Sequence, residues 1–166
     1  MTKKEKQLLL KDLCARLPYG VKVLADIDKT FDGGCIGIIN KIEPYVGNKF
    51  PELKGQYLLY EKDCLTPLVV DEVRPYLRPM SSMTMEEIEE YRNLSDEVIG
   101  SYGPYHHGFI AHCVRLGIKP DNPHECVDDF LNMEAIDWLL SHYFDFRGLI
   151  SKGLALEAPK DMYKND

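Results

Sequence analysis

The chain has 166 residues, 45% of them apolar and 28% charged, a length and composition that suit one domain with a real core and argue against global disorder. Its formal net charge of −7 argues against broad nucleic-acid binding, which needs clustered Lys and Arg on the phosphates. No apolar run approaches the roughly 20 residues that span a bilayer, and Leu8-Leu9-Leu10 behind a charged amino terminus is too short for a signal-peptide core, so the expected location is cytoplasmic.

In chain order, Lys3 to Leu17 predicts a helix, with Leu9, Leu10, Leu13 and Leu17 as its half-buried stripe. Lys3-Lys4-Glu5-Lys6, the only basic cluster, reads as its solvated start. Pro18-Tyr19-Gly20 ends it, and Gly20 to Ala25 alternates as a strand. Asp32-Gly33-Gly34 is a turn signal before the β-branched run Cys35 to Ile39, so the two strands predict a hairpin. A loop is expected from Tyr45 to Pro51, a third strand at Gln56 to Tyr60 and a short fourth at Leu68 to Val70. The prolines of Arg74-Pro75-Tyr76-Leu77-Arg78-Pro79 predict neither regular helix nor central strand.

A helix is expected from about Thr84 to Ile99, capped by Ser82 or Thr84, with Glu86 and Glu87 favoured in its first turn. Further helices are expected over Gly108 to Leu116, Val127 to Phe144 and, last and short, Phe146 to Lys152 before Gly153. The expected fold class is α+β: an N-terminal helix, a small antiparallel β-meander or SH3-like barrel, then a helical C-terminal half. Residues 1–166 are expected as a single domain, with sub-parts 1–79 and 80–166. The five cysteines, Cys14, Cys35, Cys64, Cys113 and Cys126, are scattered with no C-x-x-C, which predicts reduced thiols mostly buried as small hydrophobes.

Three groups of residues carry chemistry. The first is Asp26-Ile27-Asp28-Lys29-Thr30 after an apolar strand, the D-x-D-x-T order with which haloacid-dehalogenase-type phosphatases open their site. In that reading Asp26 is nucleophile and Mg²⁺ ligand and Asp28 the general acid and base. Such enzymes need a doubly wound parallel sheet, whereas a Gly-Gly turn and a second strand follow here. The expectation is therefore a hairpin tip whose carboxylates keep a turn solvated.

The second group is His106, His107, His112, Cys113, His124 and Cys126, ligand types that zinc prefers. Their spacing matches neither a C-x-x-C knuckle nor H-E-x-x-H, so no metal or other cofactor is assigned, and His106, His107, His124 and Cys126 stand as candidates only. Cys113 or Cys126 beside a histidine is the weaker reading of a nucleophilic pair. The third group is His142, Asp145 and Arg147, a polar trio able to bind an anion or a partner's carboxylate, with Arg147 as the bidentate donor. Tyr105 and Arg78, with Tyr76, can add the aromatic and cationic contacts of a small-ligand pocket.

The stretches "VRPYLRPMSSMT" and "AIDWLLSHYFDFRGLISKGLALEAP", with Leu17-Pro18-Tyr19-Gly20, resemble a family of short, uncharacterised proteins of gut Bacteroidetes, their prophages and mobile elements. The resemblance spans most of the chain and implies no activity of its own. The expected function is accordingly a non-enzymatic binding or interaction protein of a phage or mobile element, with an unidentified protein partner and no membrane. Its alternatives are a nucleotide-sequestering protein and a metal-dependent phosphatase using Asp26 and Asp28.

Overall fold

The computed structural model describes residues 1–25, 35–62, 67–96 and 133–163. The chain forms two compact units, one of residues 1–77 and 149–166 and one of residues 78–148. The carboxy-terminal segment, read from sequence as part of the helical half, thus returns to the sheet unit.

In the first unit, helix α1 spans Lys3–Arg16. Thr2 caps it in a reciprocal box: its hydroxyl accepts from the Glu5 N–H, and the Glu5 carboxylate accepts from the Thr2 N–H. That bond to the Thr2 N–H is the chief reason the Glu5 carboxyl sits below its ordinary range. The buried stripe is Leu9, Asp12, Leu13 and Arg16, an i, i+3, i+4, i+7 pattern. Leu10 and Leu17, expected in that stripe, are only half-buried.

Six strands follow: β1 Lys22–Ala25, β2 Cys35–Pro44, β3 Tyr57–Glu61, β4 Leu68–Val69, β5 Val73–Leu77 and β6 Leu156–Glu157. They form an open sheet in the order β4-β3-β2-β1-β5-β6, every pairing antiparallel except β5 with β6. The α+β class therefore holds, with β1 to β4 as the antiparallel meander and β4 and β6 at the sheet's two edges.

Strand β2 is long enough to serve two partners. Its residues Cys35 to Ile38 pair with β1, while Ile39 and Lys41 to Pro44 pair with β3, and the register shifts between Ile39 and Lys41. An extra residue of this kind bends a strand and increases its local twist. Val23, Ala25, Ile39, Val73 and Leu77 turn into the core with Leu9 and Leu13 of α1, each at most 1% exposed. At about 1.5–3 kcal/mol for each fully buried aliphatic side chain, this layer is the main source of the unit's stability.

Two expectations are corrected here. The proline-rich segment at Val73–Leu77 is a strand with a neighbour on each side, β1 and β6. Strand alternation explains how it tolerates Pro75. Leu77 accepts from the Ala158 N–H at 2.8 Å, on the β6 side, so Pro75, two residues earlier, turns its imide nitrogen to that side as well. The missing N–H is subtracted from no β1 bond, and β6 pairing begins only at Tyr76.

The second correction concerns Phe146 to Lys152, which is a run of turns and not a helix. Gly148 and Gly153 both take left-handed backbone, at φ 66 and 69°, and the four residues between such breaks leave no room for regular helix. Leu149 to Lys152 makes one turn instead, closed by Gly153 N–H to the Ile150 carbonyl at 3.0 Å and Leu154 N–H to the Leu149 carbonyl at 2.9 Å.

The cysteine expectation divides where it can be read: the thiols are free, as expected, but not buried. Cys14 and Cys35 are free and exposed, while Cys64, Cys113 and Cys126 lie outside the described residues.

In the second unit, helix α2 spans Met85–Asp96 and helix α3 spans Met133–Ser141. Thr84 is the cap of α2: its hydroxyl accepts from the Glu87 N–H at 3.2 Å, and Glu87 Oε2 accepts from the Thr84 N–H at 2.8 Å. The expected helix over Gly108 to Leu116, and the first part of that over Val127 to Phe144, lie outside the described residues.

Candidate functional site

Asp26 and Asp28 lie outside the described residues, as do Tyr105, His106, His107, His124 and Cys126. The strand that leads into Asp26 is nonetheless informative. Both neighbours of β1, β2 and β5, run antiparallel to it, so the parallel-sheet context that the D-x-D-x-T reading calls for is not the one β1 has. Among the described residues no three His, Cys, Asp or Glu side chains converge as a metal site.

Arg78, His142, Asp145 and Arg147 all fall in the second unit, in one stretch of connected backbone. The two segments of the sequence signature meet there: the Arg78 N–H donates to the Tyr143 carbonyl and the Asp145 N–H to the Arg78 carbonyl, both at 2.8 Å. Helix α3 ends where it does because Tyr143 adopts φ 61°. The Phe144 N–H then reaches the Leu139 carbonyl at 3.0 Å and the Tyr143 N–H the Leu140 carbonyl at 3.1 Å, the paired closure of a Schellman cap. A tyrosine stands in the position glycine usually takes, at a backbone cost of about 1–2 kcal/mol.

This cap folds Phe144 back onto Trp138, with ring centroids 5.7 Å apart, and Tyr91 of α2 approaches the same indole at 5.8 Å. His142 stacks on Trp138 at 4.1 Å. Its Nδ1 lies 2.9 Å from the Trp138 carbonyl oxygen; a carbonyl only accepts, so Nδ1 is the donor in this bond.

Arg78 lies over the Phe144 ring at 4.2 Å and forks onto Glu87, with Nη1 to Oε1 at 2.7 Å and Nη2 to Oε2 at 2.8 Å. Asp145 is buried and Arg147 stacks on Phe146 at 4.3 Å. The guanidinium of Arg78 is therefore committed to a carboxylate and a ring.

Burial pushes the Glu87 carboxyl up, but the bonds from Arg78 and the Thr84 N–H and the nearby Arg78 and His142 charges outweigh it. The net effect holds the carboxyl below its ordinary 4.5. A carboxyl lowered on folding adds stability that is full above the ordinary value and is lost as pH falls through the folded one. Acid titration of the wild type should therefore show a loss of stability below about pH 4.5 that Glu87→Gln makes shallower, read from melting temperatures across pH 3–6. Equal slopes in the two proteins would remove Glu87 from the account.

A second region escaped the sequence reading, where Tyr45 to Pro51 is only a loop. It is the tip of the β2–β3 hairpin, in the first unit, and it is held in shape by its own contacts. The Tyr45 N–H donates to the Gln56 carbonyl at 2.9 Å, and the Phe50 N–H donates to the Tyr45 hydroxyl oxygen at 2.9 Å. The Tyr45 ring covers Gly47, where a methyl group would stand 2.6 Å from the hydroxyl oxygen and 2.7 Å from Cζ.

On this frame Val46 is 89% exposed, Phe50 44% and Tyr57 41%, and Lys49 Nζ sits 5.4 Å above the Phe50 ring. The signal available in the sequence was two large apolar side chains, Val46 and Phe50, in a segment with Gly, Asn and Pro, where turn residues are usually polar.

No family model matches the chain, no curated protein matches it, and no solved structure matches it.

Proposed function

We propose that the protein is a non-enzymatic binding module, an interaction protein of a phage or mobile element, and that it meets its protein partner through the β2–β3 hairpin tip. The observation that carries this is the tip itself: Val46 and Phe50 are exposed on a loop pinned by the Tyr45 hydroxyl and the close fit of Gly47, and Tyr57 is exposed at the adjoining start of β3. Isolated exposed apolar residues are ordinary, but exposed apolar residues close in sequence on a loop that its own bonds preorganise are what a protein contact uses. The mobile-element setting rests on the resemblance of the two signature segments. The commitment of Arg78 to Glu87 and Phe144 weighs in the same direction, because a nucleotide or other anion would have to displace a bidentate carboxylate from it.

The test is affinity capture from a host lysate with wild type, Val46→Asp and Gly47→Ala. Wild type should retain a specific partner that each variant loses at least about tenfold, the scale of one interface hot spot. Both variants should melt within a few degrees of wild type, since the substitutions lie at an exposed tip. Equal capture by all three proteins would sink the tip as the contact. A melting-point rise with a nucleotide, or Mg²⁺-dependent phosphatase activity lost in Asp26→Asn, would replace this reading with a ligand-binding or enzymatic one.

A further inference from the structure

The carboxy-terminal segment holds the sheet at one place by a side chain. The Tyr163 hydroxyl donates to the Tyr76 carbonyl at 2.7 Å and accepts from the Lys22 N–H at 3.1 Å. A phenol is thus inserted between β1 and β5 at the position where their own ladder stops, beyond the Val23↔Pro75 pair. The Lys22 ammonium closes over the insert: Nζ donates to the Met162 carbonyl at 2.8 Å and lies 5.6 Å above the Tyr163 ring. Just before it, Asp161 takes left-handed backbone at φ 70°, a conformation disfavoured for a residue with a side chain. Strong local bonds at the end of a segment with a disfavoured backbone are the makings of a clasp that opens as a unit.

We propose that residues 159–163 form a detachable clasp on the seam between β1 and β5, released by withdrawal of the Tyr163 side chain while the sheet stays folded. Release bares the Lys22 N–H and the Tyr76 carbonyl. The clasp therefore controls access to those two backbone groups.

Residue-resolved amide hydrogen exchange on the full chain tests it, because the Lys22 and Leu24 N–H groups face the same neighbouring strand and differ in what they bond. In wild type the Lys22 amide should exchange through a smaller opening than that of Leu24. Tyr163→Phe keeps the ring and removes only the hydroxyl, and it should speed exchange at Lys22 about tenfold while leaving Leu24 unchanged, the effect of losing about one hydrogen bond. No change at Lys22 overturns the clasp. So does a parallel rise at Lys22 and Leu24, which would make Tyr163 part of the cooperative core.

Discussion

Asp12→Ala should lower the stability of the protein by about 3–5 kcal/mol, the range found when one partner of a buried ion pair is removed. Asp12 and Arg16 lie one turn apart on α1 and both are 0% exposed. Arg16 Nε donates to Asp12 Oδ2 at 2.7 Å and Nη2 to Oδ1 at 3.3 Å. Truncation leaves a guanidinium sealed from water with its carboxylate gone, and the desolvation of that charge is the larger part of the loss.

With typical total stabilities of about 5–15 kcal/mol, such a loss removes a large share. Thermal or denaturant unfolding should show a fall in Tm of roughly 10 °C. The double variant Asp12→Leu/Arg16→Met should recover most of it, since an apolar pair of similar volume carries no such penalty. An Asp12→Ala protein that melts with wild type would show that the pair reaches water. The exposed Lys6–Asp71 pair, 33% and 38% exposed at its side chains, makes a useful contrast: Asp71→Asn should cost less than about 1 kcal/mol, and salt should erase even that.

The second large effect belongs to Trp138. Tyr91, His142 and Phe144 all pack on this indole, and Phe144 in turn supports Arg78. Trp138→Ala should destabilise the second unit by about 3 kcal/mol, the lower end for aromatic truncations because the ring is only half-buried. Far-UV circular dichroism should report an earlier loss of helix.

Trp138→Phe should recover at least half of the deficit, because it keeps a stacking face for His142 and Phe144. A loss below about 1 kcal/mol in the alanine variant would place the weight of that unit elsewhere, on Leu139 and Leu140, each at most 4% exposed. Tyr143 behaves oppositely to both. Tyr143→Gly should relieve left-handed strain, so that variant should lose less stability than truncation of its neighbours.

The sequence made the class of fold legible where one element's own pattern sufficed. Helix α1, the β1–β2 hairpin, β3, β4 and the Thr84 start of α2 all follow from apolar period, caps and turn residues. It failed where partners decide. Strand β5 was hidden by Pro75, whose tolerance depends on which neighbour faces its nitrogen. The length of α3 depended on Tyr143 entering a conformation its side chain disfavours.

For the site, the sequence brought forward Arg78, His142, Asp145 and Arg147, and all four fall in the second unit, where Arg78 is bonded to Glu87 and Arg147 stacks on Phe146. It could not tell that Glu87 would take the Arg78 guanidinium, because helix capping already accounted for that glutamate. Nor could it separate Asp12 and Arg16 from surface charges, since hydropathy counts them as solvent-facing wherever they fall.

The register shift at Asn40 has a consequence for how this chain can vary. Because Cys35 to Ile38 answer to β1 while the residues beyond the shift answer to β3, the two pairings are set independently. Residues added or removed in pairs between Pro44 and Tyr57 change the reach of the hairpin and keep its inward and outward faces. They leave Lys22↔Ile38 and the layer beneath it where they were. A lineage can therefore retune the tip of this hairpin, residue pair by residue pair, while inheriting the rest of the sheet intact.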